Sequence, residues 1–372
     1  PGDAVTFICI LKACGSIGGI DKGKQIHNEI LSRKLLEKDI VLGTALVDMY
    51  GKCGMLAKAQ QVLEDLPTRD IVSWNALITG YAQQEKGYDA LNCFDQMLNE
   101  GLSPDVVTFI CILKVCGSVG AIHKGKQIHE EVVSRGLLQR DIVLATALID
   151  MYAKCGMLEK AREVLEELPT RNVVSWNALI SGYTQQGHGY EALSCFEKMQ
   201  DDGLFPDDGT FQCVLCACGH SGLLDEAQLL FNDMTKKYGI TPTLEHHTCL
   251  VEAFGFAGDF DKAVSMIKVM PSCDDISVWL GILGACRKWG NVELGRLCFD
   301  QIVQLDGSCT SAYVLMANMF ASSGMQEDAE KIEAMRMKYA PCKSQGNSSW
   351  VDGIGNFDSF SPENYESKNM YV

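Results

Sequence analysis

The sequence predicts an all-α protein, a solenoid of helix-turn-helix repeats, and two observations carry that prediction. First, residues 71–105 return 102 residues later as residues 173–207, with the Trp-Asn, Gly-Tyr, Cys-Phe and Pro-Asp pairs in place. A repeat this long and faithful indicates a repeat array. Second, apolar residues recur at helical spacing. One such helix face in the second unit consists of Leu148, Met151, Tyr152 and Cys155. These units show no alternating strand pattern.

Each 102-residue unit divides into three hairpins of two short helices. In one of them, Gly156 and Pro169 follow the apolar stretches and mark where the first and second helix end. A hairpin of this size cannot bury its own apolar stripe, so neighbouring hairpins must stack and leave a concave surface. The predicted repeats are residues 4–39, 40–70, 71–105, 106–141, 142–172 and 173–207.

The remainder of the chain continues this design with less fidelity. Hairpins are predicted in residues 208–243, 244–275, 276–309 and 310–343. Residues 344–372 are rich in Ser, Asn and Gly, which predicts a short irregular or hairpin tail.

Composition limits the classes of partner and compartment. The 17 cysteines are an odd number and lie mostly in apolar runs, which indicates buried thiols in a reducing compartment. No apolar run reaches 18 residues, so we expect no membrane span. The first residue is Pro1, so we expect a fragment of a longer array, from which any targeting segment is missing. The net charge of −16 disfavours non-specific nucleic-acid binding, and we expect no DNA partner.

Three motifs resemble the plant pentatricopeptide repeat family. Trp-Asn-Ala-Leu-Ile-x-Gly-Tyr, with a closing Gly-Leu-x-Pro-Asp, is similar to its P-type repeat. Gly-Lys-Gln-Ile-His at 23–27 and 125–129 is similar to the L type. Ala-Leu-x-Asp-Met-Tyr-x-Lys-Cys-Gly at 45–54 and 147–156 is similar to the S type. The L, S, P order resembles the PLS subclass, whose fold would be a right-handed α-α superhelix.

The same resemblance extends to the end of the chain. Residues 208–275 resemble divergent L-type and S-type repeats, and residues 276–343 resemble the E-type extension of the subclass. Residues 344–372 resemble part of the segment that follows the extension, although Asp358 stands where that family usually has histidine.

This resemblance implies sequence-specific binding of single-stranded RNA, one nucleotide per repeat. The fifth and last residues of a repeat would read the base, and the apolar second residues of adjacent repeats would sandwich it. The implied base-reading residues are Thr44, Asp70, Asn75, Asp105, Thr146, Asn172, Asn177, Asp207, Thr248 and Asp275. The implied sandwiching residues are Val41, Val72, Val143 and Val174.

The family's rules imply a base for most repeats. The two Asn/Asp pairs would favour uridine, Thr with Asp guanosine, and Thr with Asn adenosine. Ile8 and Ile110 cannot hydrogen-bond a base, and Gln212 with Thr243 matches no strong rule. The expected readout is 5′-N-G-U-N-A-U-N-(G)-3′.

The function implied is recognition of sites for C-to-U RNA editing in a mitochondrion or chloroplast. Residues 276–360 would recruit a deaminase-bearing protein or another editing factor, unless a missing C-terminal domain supplies the deaminase. We expect no cofactor and no catalytic residue in this chain. The alternative is a scaffold similar to tetratricopeptide repeats that binds peptides in its groove, which the acidic charge favours slightly.

Two sequence patterns resemble metal sites, but their simpler interpretation is structural. His27 and His129 each begin a His-x-Glu, half of a zinc deaminase signature. The other half needs Pro-Cys-x-x-Cys, and Gln345 stands where the second cysteine would be. Cys213 and Cys216 have ligand-like spacing, but Cys213 aligns with a core position of the preceding unit. We therefore expect no metal site.

Overall fold

The computed structural model describes residues 3–36, 39–270 and 274–339. These residues contain twenty helices and no strand, so the predicted all-α class is correct. The tail predicted for 344–372 lies outside the described residues. The described part forms two compact units, which divide between Ser221 and Gly222.

The first unit contains thirteen helices, of which the first twelve pair into six hairpins. They are α1 (Ala4–Ile17), α2 (Ile20–Ser32), α3 (Ile40–Lys52), α4 (Leu56–Asp65), α5 (Ile71–Gln83), α6 (Gly87–Asn99), α7 (Val106–Val119), α8 (Ile122–Ser134), α9 (Ile142–Lys154), α10 (Leu158–Glu166), α11 (Val173–Gln185), α12 (Gly189–Asp201) and α13 (Asp208–His220).

Two layers of helices form this unit. The first helices of successive hairpins pack side by side, from α1 through α3, α5, α7, α9 and α11 to α13. Each second helix, such as α4, packs against the first helix of its own hairpin and the first helix of the next. The first helices are therefore apolar on most sides, and fully buried Tyr50 and Tyr152 belong to this core. Their exposed side is a continuous face made of N-terminal turns.

Helix starts are set by acidic or amide residues. Asp70, Asp105, Asn172 and Asp207 each cap the following helix, accepting a hydrogen bond from the backbone N–H three residues on. Such caps satisfy one of the unpaired N–H groups at a helix start. The last residue of a repeat is therefore held at the edge of the exposed face by the next helix.

The second unit contains seven helices. They are α14 (Leu224–Lys236), α15 (Leu244–Ala257), α16 (Phe260–Val269), α17 (Ile276–Trp289), α18 (Val292–Leu305), α19 (Thr310–Ser322) and α20 (Gln326–Tyr339). Here too the first helices α15, α17 and α19 pack in a row. Their shared core includes Leu283, Cys286, Tyr313 and Met316.

The conspicuous tryptophans belong to the core. Trp74 and Trp176 are each 4% exposed. The indole Nε1 of Trp74 donates to Glu100 Oε2 at 3.0 Å, and that of Trp176 donates to Asp202 Oδ2 at 3.2 Å. Both hydrogen bonds join the first helix of a hairpin to the end of its second helix. The tryptophans thus hold the hairpin closed and are not part of the exposed face.

Candidate nucleic-acid interface

A row of exposed valines marks the N-terminal turns of the first helices. Val41, Val72, Val143 and Val174, the predicted sandwiching residues, are 58–60% exposed, although the helices that carry them are otherwise among the most buried of the unit. Each is the second residue of its helix, where the side chain projects beyond the packed layer. An apolar side chain held in solvent at each repeat is a surface on which a planar ring can stack.

Two members of this row were missed in the sequence. Val5 and Val107 occupy the same register at the starts of α1 and α7, and they are 66% and 55% exposed. Their position as the second residues of predicted repeats is a signal that could have identified them. The row in the first unit ends at α13, where Gly209 holds the equivalent position.

The structure gathers residues of three successive hairpins around one groove. This groove has a volume of about 350 Å³ and runs along one side of α1, α3 and α5. Its walls include the sandwiching residues Val41 and Val72 and the fifth residues Ile8, Thr44 and Asn75. The groove therefore contains both kinds of side chain that the family resemblance assigns to base recognition.

The two predicted Asn/Asp pairs are assembled as hydrogen-bonded pairs. Asn75 Nδ2 donates to Asp105 Oδ1 at 3.2 Å, and Asn177 Nδ2 donates to Asp207 Oδ1 at 3.0 Å. Each bond spans from the first helix of one hairpin to the residue that caps the following helix. We call these two the reading pairs. Their amides are oriented before any ligand is present.

Both carboxylates of the reading pairs are held in the ionised form. Burial alone would raise the pKa of the Asp105 carboxyl, but hydrogen bonds from the backbone and side chain of Thr108 and from Asn75 outweigh burial and lower that pKa. The same balance lowers the pKa of Asp207, through Thr210 and Asn177. A reading pair thus combines a fixed anionic acceptor with an amide donor.

The predicted Thr-containing pairs are arranged differently. The hydroxyls of Thr146 and Thr248 donate to backbone carbonyls four residues back in their own helices, at 2.8 and 2.9 Å. Within the described residues no hydrogen bond joins Thr44 to Asp70, Thr146 to Asn172, or Thr248 to Asp275. The second member of each pair, Asp70, Asn172 or Asp275, caps the following helix, and Asp275 accepts a hydrogen bond from Ser277 N at 2.8 Å. Recognition by these pairs would require the threonine hydroxyl to rotate towards a base.

The metal-like sequence patterns have structural roles. The Nδ1 atoms of His27 and His129 hydrogen-bond the Tyr50 and Tyr152 hydroxyls at 2.9 and 2.8 Å, and burial lowers the pKa of both imidazoles. Burial also raises the pKa of the Cys213 thiol to about 11, which disfavours the thiolate that zinc binding needs. No group of three or more potential metal ligands lies together in the described part of the chain.

A search of the described helices finds none with the length and apolar character needed to cross a bilayer.

Models of known protein families match the repeats. The PPR repeat family model matches residues 69–118 and 171–220, and the PPR repeat model matches 44–71, 143–173, 209–238 and 245–274. Together these matches span more than half of the chain. The E motif model matches residues 289–352, at the place where the E-type extension is predicted.

Curated relatives carry the same repeats. A mitochondrial pentatricopeptide repeat-containing protein of Arabidopsis thaliana is 37% identical over 325 residues, which is 87% of this chain and 58% of that relative. A chloroplastic one from the same plant is 36% identical over 375 residues, which is 99% of this chain and 50% of the relative. The chain thus spans only about half to three fifths of the length of these two relatives.

Solved structures share the fold. A crystal structure of PPR10 in complex with an 18-nucleotide psaJ RNA element superposes with a TM-score of 0.66 at 17% identity, covering 87% of this chain and 49% of that one. Maize PPR10 gives 0.56 at 19% identity, covering 93% and 55%. At such identities the likeness concerns the fold alone, and it confirms the predicted α-α superhelix. With its repeat and E-motif matches, the chain belongs to the pentatricopeptide repeat family.

Proposed function

We propose that this chain binds single-stranded RNA sequence-specifically and serves as a site-recognition factor for C-to-U RNA editing in a mitochondrion or chloroplast. Its hairpins act as L-, S- and P-type repeats of the PLS subclass, one nucleotide to each. The expected readout remains 5′-N-G-U-N-A-U-N-(G)-3′. The deaminase is supplied by another protein or by a further domain of the full-length protein.

The observation that carries this proposal is the pairing of a fixed polar group with an exposed valine, repeated at the same spacing. Asn75 and Asp105 are hydrogen-bonded beside Val72, and Asn177 and Asp207 repeat the arrangement beside Val174. A scaffold that binds peptides has no need for an oriented amide and carboxylate at every third hairpin. A single-stranded nucleic acid, in contrast, presents base edges and base faces at regular intervals along its length.

The chemistry of a reading pair suits an acceptor–donor base edge. The second amide hydrogen of Asn75 can donate to a uracil carbonyl, and the carboxylate of Asp105 can accept from uracil N3–H. Val72 and its neighbour in the row would contact the two faces of the ring. Because the pair is assembled beforehand, little ordering entropy opposes recognition.

The substitution Asn75→Thr tests the assignment of bases. It converts the third repeat from Asn with Asp to Thr with Asp, the combination that the resemblance links to guanosine. We expect the preference at the third nucleotide to move from uridine towards guanosine, with about 1–3 kcal/mol of binding free energy separating matched from mismatched RNA. The measurement is titration of the full chain with RNAs that differ only at that nucleotide.

Asn177 provides the internal control for this experiment. Preference at the sixth nucleotide should stay with uridine in the Asn75→Thr variant. If wild-type protein binds the matched RNA no better than a scrambled one, the RNA-binding proposal is wrong. Tight binding of an acidic or neutral peptide by such a protein would then favour the scaffold alternative.

Recruitment of an editing partner is proposed for the second unit, through residues 276–360. Within its described part, Leu297 on α18 is 59% exposed and lines a groove of about 390 Å³ that also contains Leu294 and Phe260. Lone exposed leucines are common, but one that borders a groove next to a second leucine is a candidate contact for a partner.

The variant Leu297→Asp tests this surface. A charge there should weaken binding of the deaminase-bearing partner by about tenfold or more, because the contact surface would have to desolvate a carboxylate. RNA affinity should be unchanged. Gln301→Asp, on an exposed side of the same helix, is the matched control. Partner binding and editing that survive Leu297→Asp would exclude this groove as the docking site.

A further inference from the structure

Two buried threonines lie directly beneath the reading pairs. Thr108 and Thr210 are each the third residue of the helix that follows a reading aspartate, and both have no exposed surface. A buried hydroxyl must find hydrogen-bond partners. Here the partners are the reading residues themselves.

In the first reading pair, one carboxylate oxygen accepts both hydrogen bonds that the threonine donates. The Thr108 backbone N–H and hydroxyl both donate to Asp105 Oδ1 at 2.8 Å, and Asn75 donates to the same atom. The Asp105 N–H donates in turn to the Thr108 hydroxyl at 3.3 Å. The carboxylate therefore cannot rotate without breaking several bonds at once. Asn75 Oδ1 is buried beside it with no hydrogen-bond partner.

In the second reading pair, the hydroxyl also contacts the amide. Thr210 Oγ1 lies 2.8 Å from Asp207 Oδ1 and 2.7 Å from Asn177 Oδ1. A flipped Asn177 amide would place its oxygen against the carboxylate and its NH₂ against the hydroxyl, losing the bond to Asp207. The single hydroxyl proton can serve either acceptor, so this threonine ties both members of the pair together.

Two further repeat junctions have serine in this position, and the serines make a different contact. The hydroxyls of Ser73 and Ser175 donate to the backbone carbonyls of Asp70 and Asn172, each at 2.8 Å, and not to their side chains. Thr6 repeats the threonine pattern, donating to Asp3 Oδ1 from its backbone N–H at 2.8 Å and from its hydroxyl at 2.6 Å. The threonine hydroxyl thus adds a hydrogen bond to the side chain of the capping residue, and the serine hydroxyl does not.

We propose that Thr108 and Thr210 are positioning residues for base recognition, whose buried hydroxyls decide which atoms of each reading pair face the nucleotide. This inference rests on the proposed RNA-binding function and adds a third member to each uridine-reading site. The threonine never touches RNA. It acts by preventing rotation of the carboxylate and flipping of the amide.

The test compares base discrimination by Thr210→Val, which removes the hydroxyl and keeps the shape, with that of wild type. RNAs carrying each of the four bases at the third or sixth nucleotide are titrated against the full chain. We expect the preference for uridine at the sixth nucleotide to fall by roughly three- to tenfold, the value of one hydrogen bond. Preference at the third nucleotide should be unchanged. Thr108→Val should give the reverse pattern.

Two further variants separate positioning from simple support of the helix. Thr210→Ser keeps the hydroxyl and should retain most of the discrimination. Ser175→Ala removes a capping hydroxyl from the helix that carries Asn177 without touching the reading pair, so it should lower the melting temperature and leave discrimination at the sixth nucleotide unchanged.

Three results would overturn the inference: full discrimination in Thr210→Val, equal losses in the valine and serine variants, or equal losses at both nucleotides. Absence of uridine preference in wild type would instead refute the proposed function itself, so the two failures are distinguishable.

Discussion

Glu252 is an acidic residue in a largely desolvated environment. It lies one turn after Thr248 on α15, on the side that packs against α17. A Cβ atom on Gly281 of α17 would be 3.0 Å from Glu252 Oε1, so the carboxyl fits against a glycine. Burial raises its pKa to about 7. Because burial disfavours its charged form, this carboxylate opposes folding of the second unit at neutral and higher pH.

This gives a pH-dependent prediction for Glu252→Gln. Because the folded-state pKa lies above the ordinary value of 4.5, the folded chain binds more protons between about pH 4.5 and pH 7. Wild-type stability should therefore fall as pH rises through that window and level off above it. The glutamine variant lacks this loss and should be more stable at pH 8 by about 1–2 kcal/mol, a value reduced for partial solvation. At pH 5 the two proteins should differ much less.

Thermal or urea unfolding of both proteins at pH 5 and pH 8 measures the effect. Glu245→Gln, on the exposed first turn of the same helix, is the control for loss of a negative charge. An equal stability difference at both pH values would mean that the Glu252 carboxyl is not shifted.

At the scale of helices, one close helix–helix contact occurs in both copies of the 102-residue repeat, and the two copies can be compared. Helices α3 and α5 approach at Gly51 and Gly80, where a Cβ on Gly80 would be 2.9 Å from the Gly51 Cα atom. In the second copy of the 102-residue repeat, Ala153 takes the place of Gly51 and faces Gly182. The crossing therefore accepts one methyl group from the first of the two helices, provided that the second helix keeps glycine.

We accordingly expect different effects on stability from two Gly→Ala substitutions. Gly80→Ala should destabilise the first unit by about 1–3 kcal/mol, because an added methyl group in a packed contact must push the helices apart. Gly51→Ala should be close to neutral, since it reproduces the pairing of Ala153 with Gly182. Urea unfolding of the two variants provides the comparison, and equal losses would show that the contact does not set the helix separation.

Sequence reasoning located the elements better than it located the hydroxyl groups. The duplicated unit and its apolar spacing were enough to predict hairpins, because both signals report burial. The row of exposed valines was only partly predicted, since Val5 and Val107 lie in repeats that were expected not to read bases. The bonds of Thr146 and Thr248 to their own helices were not predictable from pattern, because a helical threonine can always choose a carbonyl four residues back. The roles of Thr108 and Thr210 depend on side-chain rotation, which spacing does not reveal.

At the scale of the whole molecule, the charge of −16 must be reconciled with the proposed binding to RNA, a polyanion. The first unit offers a local answer. Lys12 lines the groove between α1, α3 and α5, and Lys114 occupies the same register on α7 and is exposed. Among the described residues neither lysine has a carboxylate partner. Affinity would then come mainly from stacking and base contacts, with a small contribution from phosphates.

This argument predicts a shallow salt dependence of RNA binding. Each phosphate neutralised on a single strand contributes about −0.7 to the slope of log K against log salt, so two lysines give roughly −1.4.

Lys12→Gln should reduce the magnitude of that slope by about half and leave base preference intact, because phosphate contacts carry no sequence information. Lys24→Gln, on the second helix of the same hairpin, removes the same charge away from the groove and should leave the slope unchanged. Titrations between 50 and 300 mM salt, a range of roughly sixfold, resolve such a difference. A steep slope in wild type, or equal effects of the two lysine substitutions, would mean that RNA follows a more cationic path than this groove.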